Sequence, residues 1–346
     1  MRTKLQFRAY NSEIMTHAET EERVQLMARL GAYLKSDAPE WRAVKERAVL
    51  KNAWFTPESV ALATQAIAHN FLEAGKLRRW LDTYVLPATF KKVGIVMAGN
   101  IPLVGFHDFL CGFFSGHELF LKLSEKDDVL LPHLLSVLES WDERVGAQVH
   151  VAERLNNCDA YIATGSNNTA RYFEQYFGKY PHIIRRNRTS VAVLDGTETQ
   201  EEFLALGQDV FNYYGLGCRN VTQLCVPQHY DFAPLLQAWE SYHHLIHEHK
   251  YKNNYDYHLA LYLLNKVPYL TNGVVLLTEN PLPFSAVSVL HYRYYQDRAS
   301  LEQEMADSND IQCMVGHGYV PFGCAQQPAL SDYADGVDTM GFLVTL

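Results

Sequence analysis

The sequence predicts an α/β protein with open, largely parallel sheets behind a helical amino-terminal segment, and three observations carry that expectation. From residue 92 onward, short β-branched and apolar runs alternate with helical stretches, the pattern of parallel βαβ units. The chain before that point repeats apolar residues at i, i+3 and i+4 over 21–34 and 57–74, which predicts amphipathic helices. The length of 346 residues leaves room for roughly two cored domains at about 150 residues each.

Strands are expected in order at 93–97, 119–123, 148–152, 160–163 and 190–194, with helices between them. Two of these strands run straight into a small polar turn and then a helix. The first passes into Ala98-Gly99-Asn100-Ile101-Pro102, the second into Thr164-Gly165-Ser166-Asn167-Asn168. Such turns leave backbone N–H groups at a helix start on the carboxyl edge of a sheet, where anions and cofactors bind. Each is also what an Asn or Ser cap makes of a plain βα unit. There is no G-x-G-x-x-G after a strand and no Walker A sequence, so neither phosphate-loop motif supports a nucleotide site.

Further on, strands are expected at 222–226 and 273–277 and helices at 232–246 and 255–264. The tail from Ile311 carries Gly316, Gly318, Gly323, Gly336, Gly341, Pro321 and Pro328, a density of turn formers that predicts loops packing back on a site. The resulting organisation is a helical segment over 1–88, α/β domains over 89–205 and 206–325, and a return segment over 326–346.

Composition removes several function classes. Hydrophobic residues at 48%, charged residues at 20% and a net charge of −9 describe an ordinary globular chain with no basic footprint for nucleic acid or membrane. No run reaches the ~18 apolar residues of a membrane span, and Met1 to Arg8 lacks a leader's apolar core, so the expected location is the cytoplasm. Six scattered cysteines without a C-x-x-C pair fit neither a zinc site nor a disulfide scaffold, and no metal is expected.

One of those cysteines stands apart. Asp209-Val210-Phe211-Asn212-Tyr213-Tyr214-Gly215-Leu216-Gly217-Cys218-Arg219-Asn220 leads a helical stretch through two glycines to a thiol just before a strand. That layout suits a nucleophilic sulfur, whose reactivity follows its thiolate fraction. On its own the segment also reads as a tight turn beside a small buried hydrophobe.

Taken in order, these segments resemble the aldehyde dehydrogenase superfamily over roughly residues 92–345. Gly99-Asn100-Ile101-Pro102 followed by Lys122-Leu123-Ser124-Glu125 is similar to that family's asparagine turn and lysine-bearing strand. Thr164-Gly165-Ser166 resembles its turn under the cofactor pyrophosphate, Gly217-Cys218 its nucleophile, and Val320-Pro321-Phe322-Gly323 its Pro-Phe-Gly element near the active site. Ala98 to Leu103, Lys122 to Ser124 and Tyr214 to Asn220 further resemble the acyl-CoA (fatty acid) reductases of bacterial bioluminescence.

The resemblance implies an aldehyde dehydrogenase-like fold of two Rossmann-like domains, the first binding a nicotinamide cofactor and the second carrying the nucleophile. It implies catalysis by Cys218 and Asn100, with the Asn100 amide and the Cys218 N–H holding the oxyanion. It implies cofactor contacts from Lys122, Ser124, Glu125, Thr164, Gly165, Ser166 and Phe322. NADP(H) is the favoured cofactor; Glu125, an acid of the kind that binds free ribose hydroxyls, keeps NAD(H) open. The substrate implied is acyl-CoA, reduced to an aldehyde through a Cys218 thioester. Homo-oligomers are common on this fold, and the short chain suggests that a peripheral or oligomerisation element is reduced.

One departure bears on the reaction. Oxidising members carry a glutamate that activates water against the acyl-enzyme, whereas the matching stretch here, Ile183-Ile184-Arg185-Arg186-Asn187-Arg188-Thr189-Ser190, holds no carboxylate. A site without that base hydrolyses its thioester slowly and leaves the acyl group for reduction. Glu202 and Glu279 stand as acids that could serve from a distance. A CoA-independent aldehyde dehydrogenase and a non-catalytic acyl-binding subunit are the competing readings.

Other clusters have plainer explanations. His243 and His247 are four apart, yet the motif is not H-E-x-x-H, and a solvated helix end closed by His249 and Lys250 accounts for it. Tyrosines near 251–257 and 292–295 read as core or subunit packing, with an acyl channel as the alternative. Arg185, Arg186 and Arg188 read as a charged surface turn, or as a clamp for CoA phosphates.

Overall fold

A computed structural model of the protein describes residues 16–346; the start of the predicted helical segment and the amino-terminal stretch read for a leader lie outside the described residues. Contacts divide the chain into two compact units. Unit 1 runs to Ala48 and adds Ala63–Arg186 and Val337–Leu346, and unit 2 comprises Val49–Leu62 and Asn187–Gly336.

Four helices come first, α1 (His17–Leu34), α2 (Pro39–Lys51), α3 (Pro57–Asn70) and α4 (Ala74–Leu81). Helix α1 starts at a reciprocal capping box between Thr16 and Glu19, which satisfies two of its orphan N–H groups. The helix expected over 57–74 ends earlier, at Asn70, and Glu73 takes an extended backbone as the cap of the separate helix α4.

Unit 1 continues with β1 (Lys92–Val96), α5 (Phe106–Ser115), β2 (Glu118–Lys122), α6 (Leu130–Trp141), α7 (Arg144–Gln148), β3 (Val149–Val151), β4 (Ala160–Thr164), α8 (Asn167–Phe177) and β5 (His182–Arg185). Its five strands lie in the order β3-β2-β1-β4-β5 and all pair in parallel, with Val93 between Leu119 and Ala160. Strand β5 was not expected from the sequence: only four residues long, its two isoleucines sit between a histidine and an arginine.

The core of unit 1 gathers on α5. Phe106, Phe109, Phe113 and Phe114 are buried there, and adjacent rings meet edge-on at 5.5 Å for Phe106 with Phe109 and 5.6 Å for Phe113 with Phe114. Such pairs add about 0.5–1.5 kcal/mol beyond the area they bury.

Unit 2 holds β6 (Thr189–Val193), α9 (Gln200–Phe211), β7 (Val221–Pro227), α10 (Ala233–Ala238), α11 (His249–Asn265), β8 (Leu270–Thr271), β9 (Leu276–Glu279), β10 (Val289–Tyr295), α12 (Arg298–Ala306) and β11 (Ile311–Gly316). Its sheet runs β11-β6-β7-β10-β9-β8, parallel throughout except for the short antiparallel pair of β8 and β9. The architecture is the α/β class expected, with two open sheets.

Several local expectations change. The tail is not all loop: Ile311–Gly316 forms β11, and Thr339–Val344 forms a last helix, α13. The tyrosine run at 292–295 belongs to β10, where Tyr292 packs on Phe232 at 4.6 Å and Tyr295 donates to the Leu194 carbonyl at 2.9 Å. His243 and His247 lie in the 3-10 helix Trp239–His247, whose three residues per turn take positions four apart off a common face. His249 and Lys250 open α11 and do not close a helix.

The arginines are not a simple surface turn either. Arg185 is buried, its Nη1 2.6 Å from Asp108 Oδ2 and its Nη2 donating to the Thr339 hydroxyl at 2.6 Å, so one ion pair ties β5, α5 and α13 together. Arg188 pairs with Asp335 at 3.2 Å and donates to the Ile311 carbonyl at 3.0 Å, whereas Arg186 is exposed. A buried pair broken on one side leaves an uncompensated charge. Asp108→Ala should therefore lose about 3–5 kcal/mol in urea unfolding, and the double variant Arg185→Met/Asp108→Leu should recover most of it. Equal losses in the single and double variants would contradict this account.

Candidate active site

In unit 1 the sheet order places a topological switch at β1. The next strand lies to one side as β2, the later β4 to the other, and open α/β sheets bind ligands outside the carboxyl ends of such strands. Ala98-Gly99-Asn100 follows β1, and Gly165-Ser166 follows β4. Ser166 caps α8, accepting from the Thr169 N–H at 3.2 Å and meeting its hydroxyl at 2.9 Å.

Both glycines sit in close quarters, where a side chain would force neighbouring side chains to move. A Cβ on Gly165 would lie 2.9 Å from Phe173 and 3.1 Å from Thr169; one on Gly99 would lie 2.6 Å from Ser124 Oγ and 3.2 Å from the Asp127 nitrogen. The Gly99 turn after β1 thus abuts the Ser124 turn after β2. Lys122 closes β2 with its ammonium on the Glu153 carbonyl at 3.0 Å, and Glu125 is exposed beyond it. Asn100, Lys122, Ser124, Glu125, Thr164, Gly165 and Ser166 all stand at this carboxyl edge, whose tight glycine turns and capped helix start fit a dinucleotide pyrophosphate.

Beneath the β1 turn lies an acid that the sequence reading passed over. Asp127 is buried, accepts the Leu103 N–H at 2.6 Å through Oδ2 and leaves Oδ1 without a partner. Leu103 itself is left-handed, with φ of 56°. Burial pushes the Asp127 carboxyl up to about 6, against the partial relief of that N–H bond.

Unit 2 delivers Cys218 through an unusual backbone. Tyr213, Tyr214 and Gly215 follow α9 in the left-handed region, with φ of 53°, 57° and 77°. Left-handed backbone costs a non-glycine residue roughly 1–2 kcal/mol and persists only where surroundings over-determine it. Here the surroundings are aromatic: buried Tyr214 packs on Trp54 at 5.5 Å and Tyr251 at 5.9 Å.

A single side chain then fixes the cysteine loop. Asn220 is fully buried; its Oδ1 accepts the Gly217 N–H at 2.8 Å, and its Nδ2 donates to the carbonyls of Asp209 at 2.9 Å and Asn212 at 2.8 Å. Half-buried Cys218 lies between these anchors, its carbonyl accepting from the Ser190 hydroxyl at 3.2 Å. The same hydroxyl meets Cys313 Sγ at 3.1 Å, and burial pushes the Cys313 thiol up.

Asp209 joins this loop to the Pro-Phe-Gly element. Fully buried, it accepts the Gly323 N–H at 2.6 Å and the Ala325 N–H at 2.9 Å on its two oxygens. Arg219 reaches the Ala325 and Asp332 carbonyls at 3.4 Å each. Phe322, from the same turn, stacks edge-on to His317 at 5.5 Å and lines an open groove of about 400 Å³ with Glu201, Glu202, Ala205 and Tyr319.

The two acids held in reserve have other surroundings. Glu202 completes the capping box of α9 with Thr199 and accepts from His317 at 2.8 Å; Glu279 is exposed at the end of β9. Asp195, Glu198 and His317 offer ligand atoms within 4.8 Å of one another, a spacing that could hold a cation. Those atoms are engaged already: His317 bonds Asp195 at 3.0 Å, and Glu198 takes the Asp195 and Gly196 amides. Hydrogen bonds to Asp195 and then Glu202 push His317 up to about 9. Nothing in the sequence spacing announced this group, because Asp195 and His317 come from opposite ends of unit 2.

No protein-family model matches the sequence, and neither does any curated protein. The fold, however, is that of the aldehyde dehydrogenases. Similar solved structures include aldehyde dehydrogenase 21 from Physcomitrella patens in complex with the reaction product succinate, at 11% identity and TM-score 0.62 over 86% of this chain and 73% of that one. Indole-3-acetaldehyde dehydrogenase of P. syringae, in complex with NAD+ and IAA, matches at 12% identity and TM-score 0.59 over 86% and 71%. The NAD-dependent aldehyde dehydrogenase of Sinorhizobium meliloti matches at 12% and 0.57 over 86% and 70%.

The raised carboxyl of Asp127 has a consequence for stability. Its folded pKa of about 6 exceeds the ordinary 3.8, so the folded chain holds this proton more tightly than the unfolded one. The associated stabilisation is present at low pH and is lost as pH rises through about 6. In urea unfolding, the parent should gain about 2.4 kcal/mol relative to Asp127→Asn between pH 7 and pH 4, most of a roughly two-unit shift at 1.36 kcal/mol per unit, because pH 4 lies just above the unfolded value. A difference that does not vary with pH would refute the assignment.

Proposed function

We propose that the protein is an NAD(P)H-dependent acyl-CoA reductase that carries its acyl group on Cys218. The observation that carries the proposal is the fate of the stretch 183–190. It contributes no carboxylate, and its one buried charge, Arg185, is committed to Asp108. Where an oxidising aldehyde dehydrogenase keeps a base to activate water, this chain keeps a neutralised cation.

The chemistry begins with the Cys218 thiolate attacking the thioester carbonyl. A C–S bond forms to Cys218, the oxyanion collapses, and the bond to CoA breaks with CoA leaving as its thiolate. Two preorganised donors to such an oxyanion are each worth on the order of 10²-fold in rate. The same reading assigns one of them to the Asn100 amide and the other to the Cys218 N–H. A reduced nicotinamide supplies a hydride when bound. Reduction of the Cys218 thioester would leave a thiohemiacetal on Cys218, which would lose its hydroxyl proton, expel the aldehyde and restore the Cys218 thiolate.

Gly99, Gly165 and the Ser166-capped start of α8 would take the pyrophosphate, with Lys122, Ser124 and Glu125 at the adenosine end and Phe322 as a further contact. NADP(H) is preferred in this reading and NAD(H) is the alternative, since Glu125 suits free ribose hydroxyls. Removing that charge with Glu125→Gln should shift the ratio of affinities toward NADPH by about tenfold in fluorescence titrations.

Incubation with acyl-CoAs of several chain lengths should add one acyl mass to the intact protein, labile to hydroxylamine and cleared by NADPH. Cys218→Ala should abolish the adduct. An adduct that survives in Cys218→Ala would sink the proposal, and a parent adduct cleared by water as fast as by NADPH would favour a hydrolytic enzyme.

A further inference from the structure

Among the described residues of unit 2, Asp209 is the one buried acid, and no cation is bonded to its carboxylate. Burial drives its carboxyl up to about 6 although two backbone N–H groups pull the other way. Those two bonds go to the Pro321–Ala325 turn, and both oxygens are needed because the Gly323 and Ala325 N–H groups point at separate atoms. An amide in place of the carboxylate would offer one acceptor and turn a donor toward the second N–H.

The turn is pressed onto the helix that carries Asp209. Gly323 is left-handed at φ of 81°, and a Cβ there would lie 3.2 Å from Ala205 Cβ and 3.3 Å from the Ala205 carbonyl. On its other side Asp209 accepts Asn220 Nδ2 through its backbone oxygen, and Asn220 in turn holds the Gly217 N–H beside the thiol. One residue therefore grips the turn with its side chain and the cysteine loop with its main chain.

We propose that Asp209 is a positioning residue for Cys218, its carboxylate clamping the Pro321–Ala325 turn to α9 so that turn, helix end and cysteine loop hold one arrangement. The inference rests on the reading of Cys218 as the reactive thiol. The titratable groups on neighbouring elements that interact electrostatically with Asp209 are Tyr242 in the 3-10 helix and Cys313 on β11. Burial raises both Tyr242 and Cys313 above their ordinary alkaline values, and His317 at the turn's entrance is held at about 9. None of these three titrates near the Asp209 value.

Two readouts on the full chain test this, neither of which uses acyl-CoA: amide exchange of the peptide holding Gly323 and Ala325, and alkylation of Cys218 by iodoacetamide followed by peptide mapping. Opening the turn hydrates the carboxyl and returns it toward its ordinary value, so in the parent the protection of the turn, corrected for intrinsic exchange, should rise roughly tenfold between pH 7 and pH 5. The alkylation rate should break from its single-proton slope at the same midpoint, near 6. In Asp209→Asn the turn should exchange roughly tenfold faster at pH 7, and the break in the alkylation profile should vanish. Identical alkylation profiles in parent and variant would reduce Asp209 to a structural role and overturn the proposal. If the variant does not fold, the parent's two profiles decide alone, and their failure to share a midpoint overturns it equally. A parent that alkylates as expected but forms no acyl adduct would remove the reductase reading and leave this one standing.

Discussion

A carboxylate buried without a cation must be held by whatever donors the backbone can aim at it, and in unit 2 that requirement falls on Asp209. Its two partners belong to the Pro321–Ala325 turn, more than a hundred residues further along the chain. The left-handed Gly323 and its close approach to Ala205 are then parts of one solution. Each lets main chain approach main chain closely enough for an acid to be satisfied by amides alone. Hydrogen bonds to a charged acceptor are about twice as strong as neutral ones, which offsets part of the desolvation. The carboxyl is still pushed up to about 6, so the arrangement carries a residual cost that tighter packing has not removed.

Unit 1 meets the same problem with a different balance. Asp108 is neutralised by Arg185, and the pair binds a strand, a central helix and the carboxy-terminal helix together. Asp127 has one backbone N–H and an unpartnered oxygen, and it sits beneath the turn that carries Asn100. The contrast separates the two acids by role. An acid paired with an arginine stabilises the frame; an acid held by loop amides fixes a loop. Both loops held in the second way are segments that the sequence singles out for chemistry.

How much of this could be read from sequence depends on the range of the signal. Strands β1, β2, β4, β6 and β7 announced themselves by apolar runs, and the glycine turns after β1 and β4 by the small residues that follow. Strand β5 failed because four residues containing His182 and Arg185 carry no period, and Tyr292 to Tyr295 hid a strand inside an aromatic cluster. Candidate site residues could be named where a motif is local, as at Gly217-Cys218. Asp209 lies just upstream in the same stretch but carries no local motif, since its partners are remote and only burial distinguishes it from a surface acid. Its one sequence clue was a charge placed among the apolar, buried positions Phe203, Leu206, Val210 and Phe211 of its helix.

The strain before Cys218 bears on why such a loop is built at all. Two tyrosines in the left-handed region cost about 1–2 kcal/mol each, and a glycine at either position would relieve that cost. At Tyr214 the side chain instead brings ring contacts with Trp54 and Tyr251 that hold the turn in place alongside the hydrogen bonds of Asn220. A flexible glycine turn would let the thiol sample many orientations; this one exchanges backbone ease for a fixed direction of approach. Fixed approach matters most for a covalent intermediate that must wait for a second reactant, because an acyl group on a wandering sulfur would meet water from more directions. In the proposed reductase, the lack of a carboxylate over 183–190 and the over-determined turn would work toward the same end, a thioester that persists until it is reduced.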